Sequence, residues 1–262
     1  MNSRISRRRQ IQVLVWSGLL ESVRRKDLYV VALLSLVGMG GGAVLAGIGV
    51  RGFEIFFRDV SLAVINTLSV LLCVWLACRQ FPEELQRKTL FPLLARPVRR
   101  FDVLTAKLVV VWLLSGLGLT LMGLLAALVL AVAGASPGPI FGQFLLLRFL
   151  SFGPIGSLSI LLSLLTSPAA AVIVSALLAL FGSTFGRTLA DAVPQLTGPE
   201  EWLVKAAYFT LPHLDLFDLA QRTAYAYPPI PAGSVALLIG YSAAYTALFL
   251  AVASRRFQGM RL

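Results

Sequence analysis

The chain alternates between long apolar runs and short stretches rich in charge or proline. Apolar runs fall at roughly 28–50, 60–77, 108–133, 144–165, 169–188 and 232–253. A helix needs about 20 apolar residues to cross a hydrocarbon core of roughly 30 Å. The pattern predicts an all-α polytopic membrane protein with six transmembrane helices, folded as a single domain over 1–262. The fourth run contains Arg148, Gly153 and Pro154. A span tolerates such residues when neighbouring helices or water satisfy the freed backbone groups.

Two segments outside the runs have patterns of their own. Over 10–26, Gln10, Ser17, Glu21 and Arg24 share one helical face, while Ile11, Leu14, Val15 and Leu19 share another. This stretch is too short and too polar to span. It reads as an amphipathic helix in the cytoplasmic interface, its basic end drawn to anionic lipid. The alternative is a capped extension of the first span. The second segment, 189–231, is proline-rich and aromatic. Short helices on the outer surface are expected here, one starting at Pro199 and another running from Leu214 to about Ala224. A re-entrant segment is the alternative.

Composition agrees with a membrane location. Of 262 residues, 58% are hydrophobic and 13% charged, and mean hydropathy is +0.84. Soluble domains carry about 25% charged residues, so a soluble globule is excluded. Disordered chains lack this apolar content and are excluded too. The net charge of +11 reflects basic loops retained on the cytoplasmic side rather than nucleic-acid binding. With both termini cytoplasmic, the N-terminal segment, the loop at 78–107 and the C-terminal tail together hold 17 of the 23 Lys and Arg residues. The opposite orientation inverts this bias, so the chain is placed in the cytoplasmic membrane with both ends inside. No removable signal peptide is read at the N-terminus.

Catalytic and metal-binding patterns are missing from the sequence. It has no phosphate-cradling Gly-rich loop, no His-Glu-x-x-His and no Gly-x-Ser-x-Gly. Cys73 and Cys78 have neither a disulfide framework nor zinc spacing. His213 is the one histidine and reads as an interfacial or hydrogen-bonded side chain. Gly38 to Gly42 reads as a site of close helix packing. All 12 acidic residues fall in loops or at span ends. Ion-coupled transporters usually need an intramembrane carboxylate or histidine, so a self-sufficient one is disfavoured. Arg148 lies near the predicted outer boundary, where snorkelling explains it; a place on a substrate path is the weaker alternative.

The loop at 78–107 carries the most information. Pro82 is expected to start a short helix. Glu83 with Arg87 and Glu84 with Lys88 form two i,i+4 pairs in the favoured order. Leu90, Leu93 and Leu94 add an apolar patch, and Pro92 and Pro97 end the turns. A stiff helix with apolar knobs beside fixed charges suits docking to another protein; a solvated loop among lipid headgroups is the alternative.

In this loop the chain resembles the permeases of type-two ATP-binding-cassette (ABC) exporters. The matching positions are Glu83 or Glu84, Arg87, Thr89, Leu93, Leu94, Pro97, Val98, Arg100 and Lys107. The aromatic-Leu-Pro segment from Tyr208 to Phe217 is similar to one found before the last span in a branch of that family. Ala106 departs from the pattern, standing where a Gly commonly precedes the Lys. The resemblance implies a permease with no nucleotide site or metal of its own, with ATP and Mg bound by separate ABC ATPase subunits. It also implies a second permease copy, identical or related. The helix at 82–96 would couple the ATPases to the spans through Glu83, Glu84, Arg87, Lys88 and Thr89. Arg99, Arg100 and Lys107 would anchor the span end at the anionic leaflet. ATP would act by binding one of two states better. A non-transporting scaffold using the same loop is the competing reading, and mid-span Leu, Val, Ala, Gly and Ser slightly favour an amphipathic cargo.

Overall fold

The computed structural model describes residues 7–24, 29, 33, 36, 53–86, 100–132, 136–192, 212–225 and 227–259. Among them every regular element is helical. In chain order these are α1 (Arg7–Arg24), α2 (Phe53–Gln86), α3 (Arg100–Val132), α4 (Phe141–Leu165) and α5 (Pro168–Ala192). A 3-10 turn (Leu214–Phe217), α6 (Ala220–Ala224) and α7 (Ala232–Gly259) follow.

Among the described residues, four helices are long and apolar enough to cross a membrane: Ile55–Gln80, Phe101–Val132, Phe141–Leu165 and Ala232–Gly259. α5 has 25 residues, and Pro168–Gly182 is an apolar stretch within it. The predicted first span, 28–50, lies outside the described residues apart from positions 29, 33 and 36. The helix predicted at Pro199 lies outside them as well.

The helices outrun the apolar runs that announced them. α2 has 34 residues, about 51 Å at 1.5 Å per residue, well beyond a core of roughly 30 Å. Charged residues at a helix end lower local hydropathy without stopping the helix. Asp102, for one, sits in the first turn of α3, where a carboxylate complements the helix dipole.

α4 is the centre of the bundle, packing against α2, α3, α5 and α7. Its Phe144, Leu147, Phe152, Ile155 and Ile160 join Ile65, Val70 and Cys73 of α2 and Leu104, Val111 and Leu114 of α3 in one core. α1 is a helix as expected and packs on α3. Val15 and Leu19 lie against the core, and Gly18 allows the close approach, since a Cβ there would stand 3.0 Å from Val110. Val13, Trp16 and Leu20 point away from the protein and are exposed.

Links between the helices gather at one rim of the bundle. Arg58 of α2 donates to the Ser136 carbonyl, in the connection from α3 to α4, at 2.5 Å. Gln143 at the start of α4 grips the chain entering α7 twice. Its Nε2 donates to the Ile230 carbonyl at 3.1 Å, and its Oε1 accepts from the Ile230 N–H at 2.8 Å.

Candidate functional site

At the opposite end from Ser136, α2 passes through Pro82 without interruption and ends at Gln86. Pro82 therefore does not start a separate helix, as the sequence suggested. An interior proline loses one N–H and crowds the carbonyl four residues back, but its φ is helical, and a helix already many turns long continues through it. Glu83 and Glu84 belong to the last turn of α2. Arg87, Lys88, Thr89, Leu93, Leu94, Pro97 and Arg99 lie outside the described residues. Arg100 opens α3, and Lys107 lies two turns along it, half-buried. Arg79 sits over the ring of Trp75 at 4.8 Å near this end, a cation–π contact.

The second cluster lies deeper and corrects the reading of Arg148. This side chain does not snorkel to an interface: it is 3% exposed, with its guanidinium inside the bundle. Nη2 donates to the Asn66 carbonyl at 2.9 Å, and Ser69 Oγ donates to the same oxygen at 3.2 Å. The Asn66 side chain in turn donates from Nδ2 to Asp218 Oδ2 at 2.9 Å. Asp218 and Arg148 attract each other across this residue. A charge far from water is tolerated when paired and hydrogen-bonded. The pairing is incomplete: Arg148 Nε and Asn66 Oδ1 are buried without a hydrogen-bond partner.

The position of Asp218 also changes the picture of the acidic residues. In sequence it belongs to a loop. In space it reaches Asn66, about 16 Å of helix axis beyond Ile55 and near the middle of Ile55–Gln80. The continuous helix expected from Leu214 to Ala224 is two short pieces, with Asp218 between them. Asp218 Oδ1 accepts from the Ala220 N–H at 2.9 Å and so starts α6. Leu214, Phe217, Leu219 and Ala224 are buried, so the segment is wedged against α2, α4 and α5 rather than lying on a surface. At its other end, the His213 N–H donates to Tyr241 Oη of α7 at 2.8 Å. Phe217 meets the Tyr241 ring at 6.2 Å, and Tyr245 and Phe249 continue that aromatic column along α7.

Pro154 organises the middle of α4. Lacking an N–H, it leaves the carbonyl of Leu150, four residues earlier, without its helical donor. Ser242 Oγ of α7 donates to that carbonyl at 2.7 Å. One residue before, Trp112 Nε1 of α3 donates to the Phe149 carbonyl at 2.8 Å while its ring stacks on Phe149 at 4.6 Å. Gly116 makes room for the Phe149 ring, which a Cβ would overlap. Gly153 faces Thr246 and Ser242 of α7 at similarly close range.

Asn66, Asp218, Trp112 and Ser242 were not singled out from sequence. A lone amide inside an apolar run is the signal that could have identified Asn66. Cys73 and Cys78 are free and buried. Among the described residues, no three His, Cys, Asp or Glu side chains gather as a metal site.

These features define a multi-pass helical membrane protein with a buried polar centre. The family model for ABC-2 family transporter proteins matches residues 22–186, and the chain belongs to that family. It is thus the membrane, permease component of an ABC transporter, a class that associates with ABC ATPase subunits. No curated protein matches the chain.

Proposed function

We propose that the chain is the permease subunit of an ATP-driven exporter in the cytoplasmic membrane, with both termini inside. Two copies, or this chain and a related one, pair to enclose the path, and separate ATPase subunits bind ATP and Mg below them. The family match carries this reading, because residues 22–186 include the whole 78–107 loop.

In this reading the Gln86 end of the bundle is cytoplasmic and the Ser136 rim is outer. Glu83, Glu84, Arg87, Lys88 and Thr89 meet the ATPase, with Leu93, Leu94 and Pro97 shaping the turn. Because α2 is unbroken from Phe53 to Gln86, a push on Glu83 and Glu84 travels along one rigid helix to Asn66. ATP closes the ATPase pair and shifts the permease between its two states. Arg99, Arg100 and Lys107 hold the start of α3 at the anionic leaflet. Cargo of amphipathic character suits the apolar spans.

The test uses the full complex in proteoliposomes. Replacing Glu83 and Glu84 together by Ala is expected to leave membrane insertion intact. It should abolish the stimulation of ATP hydrolysis that the permease gives its ATPase. Unchanged stimulation would remove these residues from the coupling role, and no association with any ABC ATPase would remove the reading itself.

A further inference from the structure

We propose that the cleft formed by Arg222, Tyr227 and Pro228 at the Ser136 rim binds a phosphate group, carried on a lipid headgroup or free. The site stands apart from ATPase coupling and needs only the membrane fold.

The cleft is small and preformed. Its volume is about 150 Å3, and among the described residues Arg222, Tyr227 and Pro228 line it. At about 30 Å3 for each water, it has room for a few waters or for one tetrahedral anion in their place. The Tyr227 N–H donates to the Arg222 carbonyl at 3.0 Å, which sets the roots of the two side chains beside each other. Both ends of the cleft are held. Thr223 and Ala224, which follow Arg222, are buried, and α6 packs on α2. Three residues past Tyr227, Ile230 is gripped by Gln143. Pro228 adds a wall of fixed φ. A site whose parts are placed beforehand loses little freedom on binding.

The cleft also lies at the right depth. Its neighbour Ile230 belongs to the rim, and Tyr225 and Tyr227 are 65% and 54% exposed there. Tyrosines in such places sit at the level of the lipid headgroups.

Charge selects the ligand. Arg222 stands in the last turn of α6 and is exposed. Among the described residues, nothing bonds its guanidinium or the Tyr227 hydroxyl. Arg58, at the same rim, is spent on the Ser136 carbonyl. Asp218, one turn before Arg222, is turned to Asn66 Nδ2 and the Ala220 N–H. The cleft therefore offers a guanidinium fork and a phenol O–H, all donors. Guanidinium pairs with phosphate through two parallel hydrogen bonds, and a further phosphate oxygen is left for the tyrosine. A carboxylate has no third oxygen to give.

The test is protection of Arg222 from phenylglyoxal, which attacks free guanidinium groups, read by peptide mass spectrometry. The full-length chain is kept in neutral maltoside micelles and phosphate-free buffer, without ATP or partner. Adding phosphatidylglycerol should slow modification of Arg222 about fivefold or more, because a bidentate pair ties up the reactive nitrogens. A diacyl glycolipid without phosphate should leave the rate unchanged. Slowing by phosphatidylglycerol alone marks the lipid as the source; slowing by inorganic phosphate as well shows that the phosphate group suffices. Tyr227→Phe keeps the ring, removes one donor and should weaken protection about threefold. Arg255 and Arg256, exposed near the end of α7, report general attraction of anions to arginine.

The site is overturned if neither phosphatidylglycerol nor inorganic phosphate slows the reaction, or if the glycolipid slows it equally. It is also overturned if Tyr227→Phe is protected as well as the parent, or if Arg255 and Arg256 are protected in step with Arg222. No ATPase is present, so each of these outcomes leaves the permease reading standing.

Discussion

Ser242 donates its hydroxyl to the Leu150 carbonyl at 2.7 Å, the group that Pro154 deprives of its helical donor. The last helix thus repairs a defect in the central one. Pro154→Ala restores the internal N–H, so the two residues should be coupled. Ser242→Ala in the parent chain should cost about 0.5–1.5 kcal/mol, read by SDS-induced unfolding in mixed micelles. The same change in a Pro154→Ala background should cost less by about 0.5 kcal/mol or more. Equal costs in both backgrounds would separate the serine from the proline.

Gly116 and Gly142 both lie in helices but face different surroundings. A methyl on Gly116 runs into the Phe149 ring, whereas nothing lies within 4 Å of the Cβ position at Gly142. Gly116→Ala should therefore displace Phe149 from Trp112 and destabilise the bundle by about 1–3 kcal/mol. Gly142→Ala should be neutral or add up to about 1 kcal/mol. Thermal unfolding in detergent, with tryptophan emission followed, checks both; a neutral Gly116→Ala would contradict the packing described.

Cys73 and Cys78 are each 0% exposed. Thiol chemistry needs an accessible thiolate. Neither should react with maleimide over hours in the folded chain, and both should react once SDS and urea unfold it. Labelling counted by intact mass decides this, and rapid modification of the folded chain would place them elsewhere.

Trp16 projects from α1 and is 66% exposed, beside Val13 and Leu20. If α1 lies in the interface, its indole belongs at headgroup depth. Lipids brominated near the glycerol should quench the Trp16 contribution, taken as the difference from Trp16→Phe, more strongly than lipids brominated near the chain ends. Stronger quenching by the deep label would sink α1 into the core.

The sequence announces the helices far more clearly than it announces their polar contacts. Runs of 20 or so apolar residues are a long signal: α2, α4, α5 and α7 each include one of the predicted spans, and α3 covers another as far as Val132. The helices run past the ends of their apolar runs because Arg58, Asp102 and Arg256 lower hydropathy without ending a helix. Pro82 misled for a related reason: it suits a first turn, yet here it follows a helix already under way. Arg148 misled more deeply. Its partners, Asn66 and Asp218, are 82 residues before it and 70 after it, and a contact made by tertiary packing leaves no periodic trace. The depth of Asp218 is hidden in sequence because loops are expected at surfaces, and only the burial of Leu214, Phe217 and Leu219 reveals that this one turns inward. The loop motif at 87–99, on which the coupling reading rests, lies outside the described residues, so its legibility is of sequence alone.

Gln143 clasps Ile230 through both atoms of its amide, much as one strand would pair with another. The first turn of α4 and the lead-in to α7 are therefore stapled at the rim. Any rearrangement that parts them must break the two bonds together, so the head of the central helix and the entry to the last one form a single joint.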